Sequence, residues 1–345
     1  MSEITTKSIA TRIGVVIIGR NEGDRLRACL DSVLAMNYPA ELLDVIYVDS
    51  SSSDGSVALA QGMGVTTIVL DGPTTAARGR NAGWTATEAP YILVLDGDTL
   101  LHAEFVATAL PCLADQSIAG VYGNRREMRT DDSIYNAIFD MDWNSASSET
   151  QSWSIFFGGD ALVRRAALEA VGGYNASLIA GEEPDLCRRM RGLGNRILHI
   201  DVPMTLHDLA MYTLNQYWRR SVRTGYAYAE ISSIYAETND PLWSAESRSN
   251  NTRGVFWTCG PTFAVLLSFL TWSVLPIVLF LLAALALFAR TAMKVRGRTN
   301  STKLLLAYSV HSHLQQIPIF FGQLRYRRQR QRGGKAAIIE YKSIP

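Results

Sequence analysis

The chain has 345 residues, and its 33 lysines and arginines nearly balance 32 acidic residues, giving a formal net charge of +1. This length allows about two domains, and the charge balance argues against a nucleic-acid partner. The cysteines have neither metal-binding nor redox spacing, so we expect a reducing compartment for the soluble part; they are Cys29, Cys112, Cys187 and Cys259. The polar segment Met1–Arg12 lacks the apolar core of a signal peptide, which predicts a chain that begins in the cytoplasm.

Residues 13–114 alternate apolar runs with segments of helical spacing. Strands are predicted at 13–18, 45–49, 65–70 and 91–95, and helices at 24–36, 54–61 and 75–87. This alternation predicts an α/β fold with a doubly wound, mostly parallel sheet. Neither Gly-x-Gly-x-x-Gly nor Gly-x-x-x-x-Gly-Lys-Ser/Thr follows the first strand, which argues against a dinucleotide-dependent dehydrogenase and a P-loop enzyme.

Polar and charged residues collect after these strands. They are Asn21 and Glu22 after the first, Asp49, Ser51 and Asp54 after the second, Arg78, Arg80 and Asn81 after the third, and Asp96 and Asp98 after the fourth. Open parallel sheets bind ligands at this edge. Glu22 and Asp49 would accept hydrogen bonds from a base and a ribose, while the arginines would balance phosphate charge. The alternatives are a helix cap at Asp54 and a surface charge at Arg80.

Asp96-Gly97-Asp98 directly follows the apolar run Tyr91–Leu95, which has the composition of a buried parallel strand. Two carboxylates one residue apart at a strand end can offer oxygens to one hard cation such as Mg²⁺ or Mn²⁺. Such a cation typically holds the phosphates of a nucleotide. The alternative is a solvated turn, because Asp-Gly-Asp is common in turns.

A third acidic group lies at Glu182 and Glu183. We predict a helix that begins with Pro184 as its first residue, in which Asp185 pairs with the arginines of 188–189. The two glutamates would precede this helix, outside that ion pair. A carboxylate there can serve as a general base, and the alternative is a favourable interaction with the helix dipole.

Further candidates lie after residue 200. His207 follows an apolar stretch, so it is either a third metal ligand or a structural histidine. On a long helix predicted at 211–230, Gln216 and Arg219 share a face because they are three residues apart. Trp218 would cover a sugar or pack against the membrane-side domain.

Residues 254–289 contain no charged side chain and are interrupted by Pro261 and Pro276. We favour a transmembrane hairpin of helices at about 255–270 and 273–289; one tilted span or a buried core helix is the alternative. Basic residues flank both ends, which favours a hairpin with both ends in the cytoplasm.

A second apolar stretch at 304–324 carries His311, His313, Gln315 and Gln316, so we predict an interfacial helix there. The basic cluster at 325–332 would bind anionic lipid headgroups, or it is a solvated tail.

Taken in order, these motifs resemble family 2 glycosyltransferases with the GT-A fold, and the resemblance covers about residues 13–230. The matching segments are Arg20-Asn21-Glu22, Asp49 with Ser50–Gly55, Arg80-Asn81, Asp96-Gly97-Asp98, Gly159-Asp160, Glu182-Glu183-Pro184-Asp185, His207 and Gln216-Tyr217-Trp218-Arg219.

The resemblance implies roles for these residues. The acids after the first two strands would bind the nucleotide, and Asp96 and Asp98 would hold a divalent metal on its diphosphate. A glutamate replaces the aspartate of the family's Glu-Asp pair, so Glu183, or Glu182, would be the base. Arg219 would stabilise charge. The acceptor side would be formed by Gly159, Asp160, Asp185, Gln216 and Trp218.

One departure concerns the family's Gln-x-x-Arg-Trp motif, whose final tryptophan is replaced by Arg220. This weakens any interpretation as a processive polymer synthase, as does the small membrane region. The implied organisation is a catalytic domain at 1–235, a linker at 236–253, a hairpin at 254–290, and an interfacial helix with a basic tail at 291–345.

The implied activity is metal-dependent, inverting transfer of a sugar from a nucleotide sugar, UDP-linked in our expectation, to a lipid-linked glycan. The setting would be exopolysaccharide or cell-envelope glycan synthesis at the cytoplasmic membrane, with the catalytic domain facing the cytoplasm and polysaccharide-assembly proteins as partners. Alternatives are transfer to a polyprenyl phosphate, a nucleotidyltransferase, and a non-catalytic membrane scaffold.

Overall fold

The computed structural model describes residues 11–72, 74–144 and 150–333. Most of the predicted polar N-terminus and the end of the predicted tail therefore lie outside the described residues. The chain divides into two compact units. The first comprises Met1–Arg126, Ala146–Ser177 and Glu182–Asp208, and the second comprises Glu127–Ser145, Leu178–Gly181 and Leu209–Pro345.

The strands form a nine-stranded mixed sheet in the order β3-β2-β1-β4-β8-β6-β9-β5, with β7 also paired to β9. Their bounds are β1 Ile13–Gly19, β2 Leu43–Asp49, β3 Thr66–Val69, β4 Tyr91–Asp96, β5 Thr99–Leu101, β6 Ile118–Glu127, β7 Gln151–Ser154, β8 Ala161–Arg164 and β9 Arg196–His207. Strands β1 to β4 pair in parallel, whereas β8 pairs antiparallel with β4 and β6, and β9 pairs antiparallel with β5 and β7. The predicted doubly wound α/β fold is confirmed.

The helices are α1 Asp24–Leu34, α2 Ser56–Gly62, α3 Ala76–Thr85, α4 Phe105–Ala109, α5 Ile134–Trp143, α6 Arg165–Ala170, α7 Glu182–Gly192, α8 Leu214–Ile234, α9 Ser244–Leu270, α10 Leu275–Val295, α11 Thr302–Leu314 and α12 Gln316–Gln331. Short 3₁₀ turns lie at Ala40–Leu42, Leu110–Ala114 and Arg296–Arg298.

The core of the first unit lies on both faces of β1 and β4. Alternate residues of a strand point to opposite faces, so Ile17 packs in the cluster of Leu26 from α1, while Val16 packs in the cluster of Ala77 from α3. A Cβ at Gly83 would overlap Val16. This glycine therefore lets α3 lie close against β1, which brings the polar residues of α3 to the edge of the sheet.

The second unit contains α5 and α8 to α12. In it α12 crosses α8 at a glycine contact, because a Cβ at Gly225 would overlap the Ile319 carbonyl and one at Gly322 would overlap the Val222 carbonyl. Close backbone approach of this kind lets two helices pack along their length.

Among the residues that the structure describes, two helices are long and apolar enough to cross a membrane, Ser244–Leu270 and Leu275–Arg298, and 17% and 6% of their apolar windows is buried. These helices lie where the hairpin was predicted. Trp272, between them, is 91% exposed. The first helix begins at Ser244, inside the stretch predicted as a linker. This part is helical because it packs on α12, where the Ser247 hydroxyl donates to Gln323 Oε1 at 3.0 Å.

The predicted interfacial helix at 304–324 is two helices, α11 and α12, separated at Gln315. His311 and His313 are buried and form hydrogen bonds inside the unit. His311 Nδ1 lies 2.9 Å from the Tyr217 hydroxyl, and His313 Nε2 lies 2.9 Å from the Thr291 hydroxyl. The sequence pattern alone does not distinguish polar side chains that form buried hydrogen bonds from polar side chains that face a membrane interface.

Candidate active site

The Asp-Gly-Asp segment lies where β4 meets the end of β9. Asp96 is the last residue of β4, and Thr99 of β5 pairs with His207 at the end of β9. This register places the Asp98 Oδ2 atom 3.4 Å from His207 Nε2. One ligand atom from each of Asp96, Asp98 and His207 lies within 4.8 Å of the other two. The antiparallel pairing of β5 with β9 therefore completes a three-residue cluster, which we call the acidic cluster.

The donor set of the acidic cluster fits a divalent cation. Asp98 and His207 are buried, and Asp96 is 28% exposed at its side chain, which leaves the cluster open on one side. Mn²⁺ binds both carboxylate oxygens and imidazole nitrogen, whereas Mg²⁺ prefers the carboxylate oxygens. The cluster therefore has the chemistry of a metal site with room for a ligand.

Arg80 on α3 joins this cluster to the glutamates. Its Nη2 lies 2.9 Å from Asp96 Oδ1, and its Nη1 lies 2.8 Å from Glu182 Oε1 and 2.9 Å from Glu183 Oε1. Burial by itself would lower the pKa of Arg80, but the charges of Glu183, Asp96 and Glu182 together raise the pKa well above its usual value. Arg80 is buried, so the alternative of a surface charge is wrong.

Helix α7 begins at Glu182 rather than at Pro184, so both glutamates belong to its first turn. Proline is tolerated there because the first N–H groups of a helix have no intrahelical acceptor. Glu182 is buried, whereas the Glu183 side chain is 14% exposed. Burial, together with the charge of Glu182, raises the pKa of Glu183 to about 7 although Arg80 opposes the shift. A carboxylate with this pKa suits general base catalysis near neutral pH.

Arg125 on β6 is a site residue that the sequence analysis missed. Its Nη2 lies 2.6 Å from Asp160 Oδ2, and Asp160 Oδ1 accepts from the Asp96 amide at 3.2 Å. The Thr205 hydroxyl donates to the same Asp160 carboxylate at 2.8 Å. Asp160 is thus a buried support of Asp96, and its predicted acceptor role stays a prediction. No motif surrounds Arg125 in the sequence, so only the strand order reveals it.

Gly159 also lies against the acidic cluster. A Cβ at this position would lie 2.6 Å from Asp96 Oδ2 and 3.1 Å from Arg125 Nη2. The backbone approaches Asp96 so closely that any larger residue would displace the carboxylate. The structure therefore gives Gly159 a place beside the candidate metal ligands, whereas its predicted acceptor role stays a prediction.

The end of β2 is organised differently. Asp49 is fully buried and accepts from the Ser52 amide at 2.7 Å, the Ser52 hydroxyl at 2.5 Å and the Tyr47 hydroxyl at 2.8 Å. Asn21, in a left-handed conformation with φ 55°, accepts from the Ser53 amide at 2.7 Å. These bonds hold the loop after β2 in place, and the predicted nucleotide contacts of Asp49 and Asn21 stay predictions.

The neighbouring candidates are also bonded within the protein. Glu22 pairs with Arg25 at 2.8 Å, and the Ser51 hydroxyl donates to a backbone carbonyl at 2.6 Å. Asp54 accepts from the Ser56 amide at 3.0 Å, at the start of α2. The N-cap of α2 is nevertheless Gly55, and the helix has no side-chain cap, so the alternative of a helix cap at Asp54 is wrong.

Two residues of α3 flank Arg80. Arg78 is exposed, which leaves it accessible to a ligand. Asn81 uses its amide group to bind the backbone of Tyr174, donating to the carbonyl at 2.8 Å and accepting from the amide at 2.9 Å. Asn81 therefore has a structural use, and its predicted contact with the nucleotide stays a prediction.

The remaining candidates have local partners. Asp185 is buried and pairs with Arg189 at 2.7 Å, so the predicted ion pair is confirmed, and its predicted acceptor role stays a prediction. Gln216, in the second unit, forms a capping box with Thr213 at the start of α8. Arg219 and Trp218 are exposed on the same helix, and their predicted roles stay predictions.

The chain shows sequence similarity to known glycosyltransferases. Residues 14–172 match the family Glycosyl transferase family 2. Glycosyltransferase AglE of Haloferax volcanii is 22% identical over 188 residues, which cover 53% of this chain and 62% of the relative. The probable glycosyltransferase YdaM of Bacillus subtilis is 22% identical over 228 residues, which cover 61% of this chain and 54% of the relative. The matched region thus spans between half and two thirds of each relative.

Solved structures show the same fold at low identity. Mannosyltransferase PcManGT from Pyrobaculum calidifontis, in complex with GDP-Man and Mn²⁺, matches with a TM-score of 0.60 and 19% identity, over 92% of this chain and 88% of that one. S. aureus TarS 1-349 matches with a TM-score of 0.51 and 13% identity, over 92% and 91% of the two chains. The fold is therefore that of the GT-A glycosyltransferases.

These findings agree with the site. Residues 14–172 resemble a family 2 glycosyltransferase domain, and this region includes Asp96 and Asp98. Its acidic cluster is a candidate metal site of the kind expected for Asp-x-Asp.

Proposed function

We propose that this enzyme moves one sugar, with inversion, from a nucleotide sugar to a hydroxyl of a lipid-linked glycan at the cytoplasmic face of a membrane. The setting is exopolysaccharide or cell-envelope glycan synthesis. The observation that carries the proposal is the contact of Arg80 with both Asp96 and Glu183, at 2.9 Å each. It puts a candidate metal site and a candidate base within one site.

Asp96, Asp98 and His207 would hold Mn²⁺ or Mg²⁺. The ion would neutralise the charge that develops on the departing diphosphate. The carboxylates of Asp160, Glu182 and Glu183 lie near the two aspartates, where they pair with Arg80 and Arg125. Carboxylates gathered in this way favour cation binding.

Glu183 would act as the base. Its carboxylate takes the proton of the acceptor hydroxyl while that oxygen forms a bond to the anomeric carbon from the face opposite the diphosphate. The bond from the anomeric carbon to the diphosphate oxygen breaks, and its electron pair leaves with the nucleoside diphosphate. A pKa of about 7 makes Glu183 a stronger base than an ordinary carboxylate while it remains mostly ionised above neutral pH.

The donor nucleotide is UDP in this proposal. GDP-mannose is the second candidate, because the mannosyltransferase with the same fold is in complex with GDP-Man and Mn²⁺. The carboxylates of Glu22 and Asp49 and the exposed Arg78 are the candidate contacts for either nucleotide.

The second unit supports a membrane-associated acceptor. Its helices α9 and α10 expose large apolar side chains, including Phe269, Leu270 and Leu282. Basic side chains follow in α12, in the stretch 325–332. An apolar hairpin with adjacent basic residues suits insertion into a bilayer that carries anionic lipids.

The closest alternative is transfer to a polyprenyl phosphate, whose oxygen is already an anion and needs no base. Glu183→Gln separates the two activities, because it abolishes transfer to a hydroxyl and spares transfer to a phosphate. A nucleotidyltransferase would release pyrophosphate instead of a nucleoside diphosphate. A membrane scaffold would bind no nucleotide sugar in a metal-dependent manner.

The test is a screen of UDP- and GDP-sugars with the purified full chain in detergent, with and without Mn²⁺. The readouts are release of nucleoside diphosphate and thermal stabilisation by the donor. We expect one sugar nucleotide to be consumed only in the presence of the ion. Equal consumption with and without a divalent cation, after chelation, would refute the metal-dependent mechanism.

A further inference from the structure

The position of Arg80 after the third strand predicted a contact with phosphate, but the structure places its guanidinium among carboxylates. Its guanidinium contacts carboxylates of both the acidic cluster and α7, and only 3% of its side chain is exposed. A guanidinium offers donors in a fixed planar fork. Here that fork is directed at three protein carboxylates, so Arg80 is not displayed to a diphosphate.

Neighbouring side chains hold the Arg80 guanidinium in place. The ring of Tyr174 lies over the guanidinium, with 5.6 Å from the Arg80 Cζ atom to the ring centroid. Asn81 holds the backbone of Tyr174 through two hydrogen bonds, of 2.8 and 2.9 Å. Adjacent residues of α3 thus supply the guanidinium and fix the aromatic ring that covers it. The guanidinium is therefore confined beside the carboxylates.

We propose that Arg80 is a positioning residue that makes cation binding at Asp96 and the placement of Glu183 depend on each other. The inference rests on the proposed function, because it needs a cation at the acidic cluster. A cation that takes up the charge of Asp96 weakens the attraction of Asp96 for Arg80, which leaves the guanidinium more strongly held by Glu183. By reciprocity, removing the Glu183 charge turns Arg80 toward Asp96 and weakens cation binding.

A double-mutant cycle tests this dependence. Binding of Mn²⁺ alone is measured by electron paramagnetic resonance of the free ion, on the full chain in detergent, for wild type, Glu183→Gln, Arg80→Gln and the double variant. We expect Glu183→Gln to weaken Mn²⁺ binding about fivefold in the wild-type background and less than about twofold in the Arg80→Gln background, since residues in one network are not additive.

Direct electrostatic attraction between Glu183 and the ion would give a different result. If Glu183 acts on the ion only through space, its substitution weakens binding by the same factor in both backgrounds. Equal factors would overturn the proposal while leaving the metal site intact. Failure of the wild-type protein to bind Mn²⁺ would refute the metal part of the proposed function, and this dependence with it.

Two further variants keep the test interpretable. Arg27 is exposed on α1, so Arg27→Gln is the matched control, and Glu183→Gln should weaken binding by the wild-type factor in its background. Arg80→Lys keeps the charge but lacks the fork that reaches three carboxylates, so it should also reduce the dependence. It replaces Arg80→Gln in the cycle if circular dichroism shows that the latter does not fold.

Discussion

Two strands in the parallel part of the sheet end in aspartates, and the structure uses these aspartates in different ways. Asp49 at the end of β2 and Asp96 at the end of β4 flank β1, which pairs with both strands. Asp49 accepts hydrogen bonds from neutral groups, the hydroxyls of Tyr47 and Ser52 and an amide. Asp96 contacts the charged Arg80 and lies beside further carboxylates. Two aspartates at equivalent strand ends therefore differ in their surroundings, because different groups contact their carboxylates.

The difference has an electrostatic consequence. Neutral donors satisfy Asp49 within its own loop, so its carboxylate stabilises local structure. Asp96 instead lies in the acidic cluster with Asp98 and His207, and buried charge of one sign is costly unless a partner neutralises it. We therefore expect the β4 end to respond to divalent cations and the β2 end to be insensitive to them.

The largest expected effect is that of Asp98→Asn. Loss of a ligand charge should lower kcat by about 100-fold or more, because a metal contributes several kcal/mol to stabilising the transition state. The measurement is the initial rate of donor consumption against Mn²⁺ concentration. Asp31→Asn, at an exposed position of α1, is the control. Full activity with a wild-type metal response in Asp98→Asn would show that the metal assignment is wrong.

Glu183→Gln should give the next largest effect. Because the pKa of Glu183 is raised to about 7, wild-type kcat/KM should rise as pH increases through this value and the base loses its proton. The variant should lose this limb, with a rate about 100-fold lower at pH 8. The pH profile is the measurement, and Glu88→Gln, at a highly exposed side chain, should keep it. If kcat/KM of Glu183→Gln still rose with pH in this range, the base would be another residue.

Gly159→Ala tests the β4 end by placing a methyl group against Asp96. The added Cβ would lie 2.6 Å from Asp96 Oδ2, so the carboxylate must move and Mn²⁺ binding should weaken about tenfold, as for other changes to groups that orient a metal ligand. The adjacent Gly158→Ala is the matched control, since nothing lies within 4 Å of its Cβ. Equal Mn²⁺ affinities in the two variants, measured by titration, would contradict the close approach.

The smallest effect is expected at the β2 end. Tyr47→Phe removes the hydroxyl that donates to the buried Asp49, which should lower the free energy of unfolding by about 1 kcal/mol. Chemical denaturation measures this loss, and Mn²⁺ affinity should not change. A metal affinity altered as strongly as in Gly159→Ala would break the distinction between the two strand ends.

Local pattern was sufficient for part of the fold and the site. Apolar runs broken by helical spacing predicted β1 to β4, because buried parallel strands require continuous apolar sequence. The segment Asp96-Gly97-Asp98 stood out because two carboxylates follow such a strand. Composition alone also predicted the two apolar helices α9 and α10, which are long enough to cross a membrane.

Other features depended on contacts between distant parts of the chain. His207 reaches Asp98 because β9 pairs antiparallel with β5, and Arg125 reaches Asp160 because β6 pairs with β8. Neither pairing has a local signature. The start of α7 at Glu182 was missed because proline is also tolerated within the first turn.

The sequence by itself determined the alternating α/β pattern, the acids at the strand ends and the apolar segments, because each depends on residues close together in the chain. Only the tertiary structure decided the partners of those acids. It confined Arg80 between Asp96 and Glu183 and gave Asp49 neutral donors. The physical reason is that charge pairing follows distances in space, and strand order sets those distances.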